Sequence, residues 1–163
     1  LVAGHETSTN FIGNGVLALL RHPDQLEALK GRPELGRSAV EELLRYVSPV
    51  IGFIRTVTET HDYKGTELRG GDRVLMLYQS ANRDERQFPD PYRLDLGRTP
   101  NFHLAFGHGQ HFCLGANLAR WELRAVFREL APHLRNLELA GPPARLPNLH
   151  VGAIASLPVR WVD

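Results

Sequence analysis

The hydrophobic and polar positions change rhythm along the chain. Residues 1–20 read as one helix that ends at the turn around His22-Pro23. Pro23 then opens a short helix running to Lys30, since proline is well placed in a first helical turn. Gly31-Arg32-Pro33 breaks the chain, and a further helix runs to about Tyr46 with Val40, Leu43, Leu44 and Val47 on its apolar side. From Val50 to Tyr78 the pattern turns to strands. Phe53 to Val57 is rich in β-branched and aromatic residues, Lys64-Gly65 signals a hairpin, Gly70-Gly71-Asp72 a turn, and Arg73 to Tyr78 a mostly apolar strand. Residues 82–101 are charged, proline-containing and aperiodic, which predicts a long ordered loop. Helical spacing returns with Leu123, Phe127, Leu130 and Leu134, predicting a helix over residues 114–134. The tail reads as short strands and turns, including His150 to Ile154. The predicted fold class is mainly α with a small β part.

Composition narrows this picture. The chain has 163 residues and 42% hydrophobic content, enough for one ordinary domain. A net charge of +1 gives no reason to expect nucleic acid or an anionic membrane as partner. A single cysteine excludes an internal disulfide framework and fits a reducing, cytoplasmic compartment. No apolar run approaches the roughly 20 residues of a membrane span, and no stretch reads as a signal peptide. Leu1 to Gly4 already reads as mid-helix without a cap, so the sequence is expected to be the C-terminal part of a larger protein.

The candidate chemistry centres on residues 106–115, Phe-Gly-His-Gly-Gln-His-Phe-Cys-Leu-Gly, which hold the only cysteine. Glycines around Cys113 allow the backbone to approach something flat, and the following helix offers free N–H groups to an anion. Cys113 therefore reads as a poised thiolate, and three roles compete for it. It is an inert core thiol, a zinc ligand together with His103, His108 and His111, or a single axial thiolate on a haem iron.

The pattern Phe-x-x-Gly-x-His-x-Cys-x-Gly, filled by Phe106, Gly109, His111, Cys113 and Gly115, resembles the haem-binding loop of the cytochromes P-450, the haem-thiolate monooxygenases. The resemblance implies that the chain is the C-terminal portion of that fold, carrying heme b (iron protoporphyrin IX). Cys113 would be the proximal iron ligand, Phe106 the shield of its sulfur, and His111 a propionate partner; Gly107 and Gly115 would let the loop lie against the porphyrin. Ala3-Gly4-His5-Glu6-Thr7 resembles the family's oxygen-activating helix, with Ala3 and Gly4 against the porphyrin and Glu6 and Thr7 delivering protons. Arg55 falls where the family places a propionate-binding arginine, and Ile51 to Phe53 would line the substrate pocket, with Ala153 and Ile154 also touching substrate. Glu42-Leu43-Leu44-Arg45 resembles the family's buried Glu-x-x-Arg network, with Arg93 as its expected third member.

The implied reaction inserts one oxygen atom of dioxygen into an apolar small molecule, with electrons from a ferredoxin-type donor. Arg120, Arg124 and Arg128 share one helical stripe that reads either as a solvated face or as a docking site for that acidic donor. The style of the loop resembles the soluble bacterial branch. A peroxide-driven hydroxylase is disfavoured by Glu6-Thr7, and a non-catalytic domain without haem is a third reading. The 163 residues alone are expected to bind haem poorly, to aggregate and to be inactive.

Overall fold

A computed structural model describes residues 2–162 of the chain. Four helices carry most of the core. Helix α1 spans Val2–Arg21 and buries Phe11, Leu17, Ala18 and Leu19. Helix α2, Pro23–Gly31, packs beside it through Leu26 and Leu29. Helix α3, Gly36–Val47, buries Ala39, Val40, Leu43 and Leu44, which at this spacing form one stripe. It ends at Ser48, whose left-handed backbone (φ 37°) lets its N–H cap the Leu44 carbonyl at 3.0 Å.

Strands β1 (Gly52–Thr56) and β4 (Arg73–Leu77) pair antiparallel, with Phe53 opposite Met76 and Arg55 opposite Val74. Between them β2 (His61–Tyr63) and β3 (Thr66–Leu68) form the expected hairpin. Lys64 and Gly65 both adopt positive φ (54° and 83°), the combination a tight two-residue turn needs. A short helix α4, Tyr78–Ala81, follows, and then the predicted long coil.

Helix α5 spans Ala116–Leu134, starting two residues later than the periodicity predicts. Cys113 and Leu114 still belong to the preceding turn: the Ala116 N–H donates to the Cys113 carbonyl at 3.2 Å, and Leu114 is wholly exposed. The ring of Phe127 on α5 meets Phe11 on α1 edge-to-face at 5.9 Å, closing the α1–α3–α5 core. In the tail β5 (Leu137–Leu139) pairs with β8 (Val159–Trp161), and β6 (Ala144–Arg145) with β7 (Ile154–Ser156). Two buried asparagines of α1 tie this tail down. Asn14 donates to the Gly152 carbonyl at 2.7 Å and accepts from Arg145 at 3.1 Å, while Asn10 accepts the Ile154 N–H at 3.3 Å.

The Glu42–Arg45 pair is wholly buried and bidentate, at 2.7 and 2.8 Å. Its third member is Arg98, not Arg93. Arg98 Nε lies 3.1 and 3.2 Å from the two Glu42 oxygens, whereas the Arg93 side chain is exposed and only its carbonyl takes part, accepting from Arg45 at 3.2 Å. The coil of residues 89–98 curls so that its backbone carbonyls, at Pro89, Asp90 and Arg93, receive the remaining Arg98 donors. Arg98→Ala is therefore expected to cost about 1.5–3 kcal/mol, the range for hydrogen bonds to a charged group. Arg93→Ala is expected to stay within about 0.5 kcal/mol. Urea midpoints of the two variants decide; equal losses would restore Arg93 to the network.

Candidate functional site

The loop around Cys113 is built by local hydrogen bonds. Gly107 and Gly109 take positive φ (73° and 72°), which bends the chain back on itself. The Cys113 N–H then reaches the Phe106 carbonyl at 3.0 Å, and the Phe112 N–H the Gly109 carbonyl at 3.0 Å. His111 ends the 3₁₀ turn Gly109–His111. Cys113 is left exposed just ahead of the first turn of α5.

Its thiol opens into a cavity of about 480 Å³ between α1, the β1 strand and the loop. Ala3, Gly4, Thr7 and Phe11 of α1 line it together with Phe53, Arg55, Phe106, Gly107, His111, Cys113 and Gly115. A Cβ added at Gly4 or Gly115 would meet nothing within 4 Å, so both glycines face open space. Among the described residues Arg55 forms no ion pair, and its only side-chain hydrogen bond goes to the neighbouring Ile54 carbonyl. Apolar wall residues Phe53 and Leu118 are left substantially exposed. A flat, largely apolar group with anionic substituents and one soft metal site fits this lining. A larger cleft of about 840 Å³ lies near the other end of α1, lined by Arg21, Arg83, Arg86 and Arg145, and contains none of the motif residues.

Several sequence expectations fall elsewhere. Glu6 is exposed and does not line the cavity, although Thr7 beside it does; the Thr7 hydroxyl donates to the Ala3 carbonyl at 2.9 Å. Of Ile51 to Phe53, only Phe53 lines the cavity. Ala153 and Ile154 also stay outside it: Ile154 packs in β7 toward Gly13 of α1. Among the described residues no group of His, Cys, Asp and Glu side chains is arranged to hold a metal by itself, and His103 is engaged with Glu41, which removes the zinc reading.

The arginine stripe of α5 is not a free basic face. Arg120 grips Glu41 of α3 at 2.8 and 2.9 Å, and Arg124 reaches the same carboxylate at 3.5 Å; only Arg128 is exposed, beside Glu129. His103 Nδ1 accepts the Ala105 N–H at 3.2 Å, which leaves Nε2 to donate to Glu41 at 3.1 Å. Burial pushes the Glu41 carboxyl up, but the hydrogen bonds and charges of His103 and Arg120 outweigh it and bring the group from the usual 4.5 to about 2. A lowered carboxyl stabilises the fold above its unfolded value and loses that contribution as pH falls through the folded one. Stability is thus expected to decline between about pH 4.5 and about pH 2, and Glu41→Gln to flatten that slope. Urea midpoints across this acid range check it; an unchanged slope in the variant counts against the assignment.

Glu41, Asn82 and Asn101 escaped the sequence reading, and His103 enters it only as a candidate zinc ligand. Asn82 is fully buried, donates to Ser48 Oγ and accepts the Leu104 N–H, both at 2.7 Å, so it anchors the entry to the cysteine loop. Asn101 donates to Glu42 at 3.0 Å. Asn82 and Asn101 bound the aperiodic coil, where a polar residue carries no local mark of burial, and Glu41 lies in α3 but outside its apolar stripe.

Comparison with known proteins identifies the architecture. Residues 34–150 match the family Cytochrome P450. This covers most of the chain, so the chain belongs to the cytochrome P450 family, as the resemblance of its motifs implies. The methyl-branched lipid omega-hydroxylase of Mycobacterium tuberculosis is 47% identical over 163 residues, 99% of this chain and 38% of the relative. The steroid C26-monooxygenase of Mycolicibacterium smegmatis is 42% identical over 98% of this chain and 40% of its own length. The solved structure of the bacillaene polyketide synthase cytochrome P450 PksS of Bacillus subtilis superposes with a TM-score of 0.96 at 43% identity, over 99% of this chain and 43% of that one. The chain thus spans about two-fifths of the length of the relatives it matches. No described helix is long and apolar enough to cross a membrane.

Proposed function

We propose that this chain is the C-terminal, haem-binding portion of a larger cytochrome P450 domain. The full protein is a cytoplasmic monooxygenase that inserts one oxygen atom of dioxygen into an apolar small molecule. The observation that carries this reading is the exposed Cys113 thiol. It is presented by a tight glycine bend into a cavity lined by apolar rings, two glycines that face open space and an arginine that pairs with no carboxylate among the described residues.

The residues fit haem b. Cys113 would supply the iron ligand, Arg55 and His111 hydrogen-bond donors facing its propionates, Ala3 and Gly4 a wall without bulk, and Phe106, Gly107 and Gly115 the loop beside it. When bound, the haem supplies the oxygen chemistry, and electron donation from a thiolate favours O–O cleavage. The chain's own contribution is placement and proton supply. Thr7 turns one side of its hydroxyl to the Ala3 carbonyl, and its oxygen can still accept a hydrogen bond from the cavity. Glu6, exposed on the same helix, takes protons from solvent. Electrons come from a redox partner of ferredoxin type, in keeping with the resemblance to the soluble bacterial branch.

The deciding experiment is the absorption spectrum of the reduced, carbon-monoxide-bound full-length protein. A strongly red-shifted Soret band is expected, because thiolate ligation produces it; an unshifted band overturns the proposal. Thr7→Ala is expected to keep oxygen consumption while product falls by about 10²-fold, the lower end for a lost proton-transfer group. The ratio of product to oxygen consumed reads this out, and a ratio equal to the parent's would remove Thr7 from proton delivery.

A further inference from the structure

Behind the cysteine loop lies a chain of contacts that the proposed haem site does not use directly. Arg120 stands seven residues after Cys113, just past the first turn of α5, with its guanidinium 4.5 Å from the centre of the Phe106 ring. The fork is held from behind: Glu41 accepts both of its donors at 2.8 and 2.9 Å. Glu41 is in turn fixed by His103, whose side chain is only 2% exposed. The His103 and Phe112 rings flank Phe106 at 6.1 and 6.3 Å. The Phe106 carbonyl accepts the Cys113 N–H, and both residues line the same cavity. A planar cation on an aromatic face, clamped by a carboxylate from another helix, fixes the ring more firmly than packing alone.

We infer that Arg120 is a positioning residue for the Cys113 sulfur: clamped by Glu41, it holds the Phe106 ring against the loop and keeps water from the thiolate. The inference rests on Cys113 being the haem ligand. Two routes by which Arg120 acts on the sulfur predict opposite signs. A direct positive charge stabilises the reduced, more negative centre, so losing it lowers the reduction potential. A loosened ring admits water, whose hydrogen bonds draw charge from the sulfur and weaken its donation to iron, so the potential rises.

The test uses the full-length, haem-loaded protein and spectroelectrochemical potentials of R120K, R120M, F106L and the corresponding double variants. R120K is the decisive variant, because it keeps the charge and loses the flat fork. R120K and R120M are both expected to raise the reduction equilibrium constant about tenfold, which is about 59 mV for one electron. In the F106L background the same changes are expected to have less than about a twofold effect, since residues acting through one another are not additive. Glu41→Gln, which weakens the clamp without touching Arg120, gives a smaller rise and serves as the second variant where R120M does not fold. A fall in potential for R120M with R120K unchanged overturns the inference in favour of charge alone, and so does an undiminished shift in the F106L background. A parent protein without the red-shifted carbon-monoxide spectrum overturns the site assignment together with it; with that spectrum present, additive potentials overturn this inference only.

Discussion

Glu42→Ala is expected to destabilise the full-length protein by about 3–5 kcal/mol, the usual consequence of leaving one member of a buried ion pair alone. Glu42 and Arg45 are both fully buried, and Arg45 has no route to water. Its other donors go to the carbonyls of Asn82 and Pro91 at 2.8 Å, so the guanidinium cannot turn away when its carboxylate is removed. Glu42 also accepts the Asp95 N–H at 3.0 Å and one amide hydrogen of Asn101. A single substitution thus orphans donors on helix α3 and on the long coil. Against a typical total stability of about 5–15 kcal/mol, such a loss is a large share. Glu42→Gln, which keeps an acceptor in place, should lose less. Urea denaturation of parent and variants measures both, and a loss below about 1 kcal/mol for alanine would show that the network does not hold the coil. Because Asn82 joins that coil to Leu104, loosening the network is also expected to weaken haem retention.

Cys113→Ser is expected to separate chemistry from folding. The cysteine is exposed, and its backbone N–H, which serine retains, makes the loop-closing bond to Phe106. Stability of the haem-free protein should change by no more than about 0.5 kcal/mol, as for surface positions without special contacts. Activity should fall by more than the roughly 10–100-fold seen when a group behind a metal ligand is lost. The red-shifted carbon-monoxide band should vanish with it. A serine variant that keeps the band or the parent's turnover would remove Cys113 from the site, while a variant that unfolds would show the thiol to be structural.

The contrast between these two predictions follows from how each feature is encoded. The cysteine loop is a short-range object. Its closing bond joins residues 106 and 113, its bends need only glycine at 107 and 109, and its far end is the start of α5. Such features were readable from residue type and spacing, as were the helices and the Lys64-Gly65 hairpin. The charge networks are long-range. Glu42 is paired with Arg98 across 56 positions, and Glu41 with Arg120 across 79. A helical wheel displays Arg120 and Arg124 as a solvated stripe, because it contains nothing of the neighbouring helix that places Glu41 among them.

Arg93 and Arg98 make the same point within a few residues. Both lie in an aperiodic coil, and which side chain turns inward depends on how the coil packs on α3. The resemblance likewise puts Ala153 and Ile154 at the substrate, whereas Asn10 and Asn14 of α1 hold their segment away from the cavity.

The order of residues along this chain was therefore enough to specify its helices, its hairpin, its cysteine bend and its kinship, since each depends on steric and hydrogen-bonding preferences acting over a few positions. Packing alone decided which arginine completes the buried network, that Glu6 stands outside the cavity and that Arg120 leans on Phe106. A buried charge takes whichever distant partner the close-packed core brings within about 3 Å, and no local preference carries that distance.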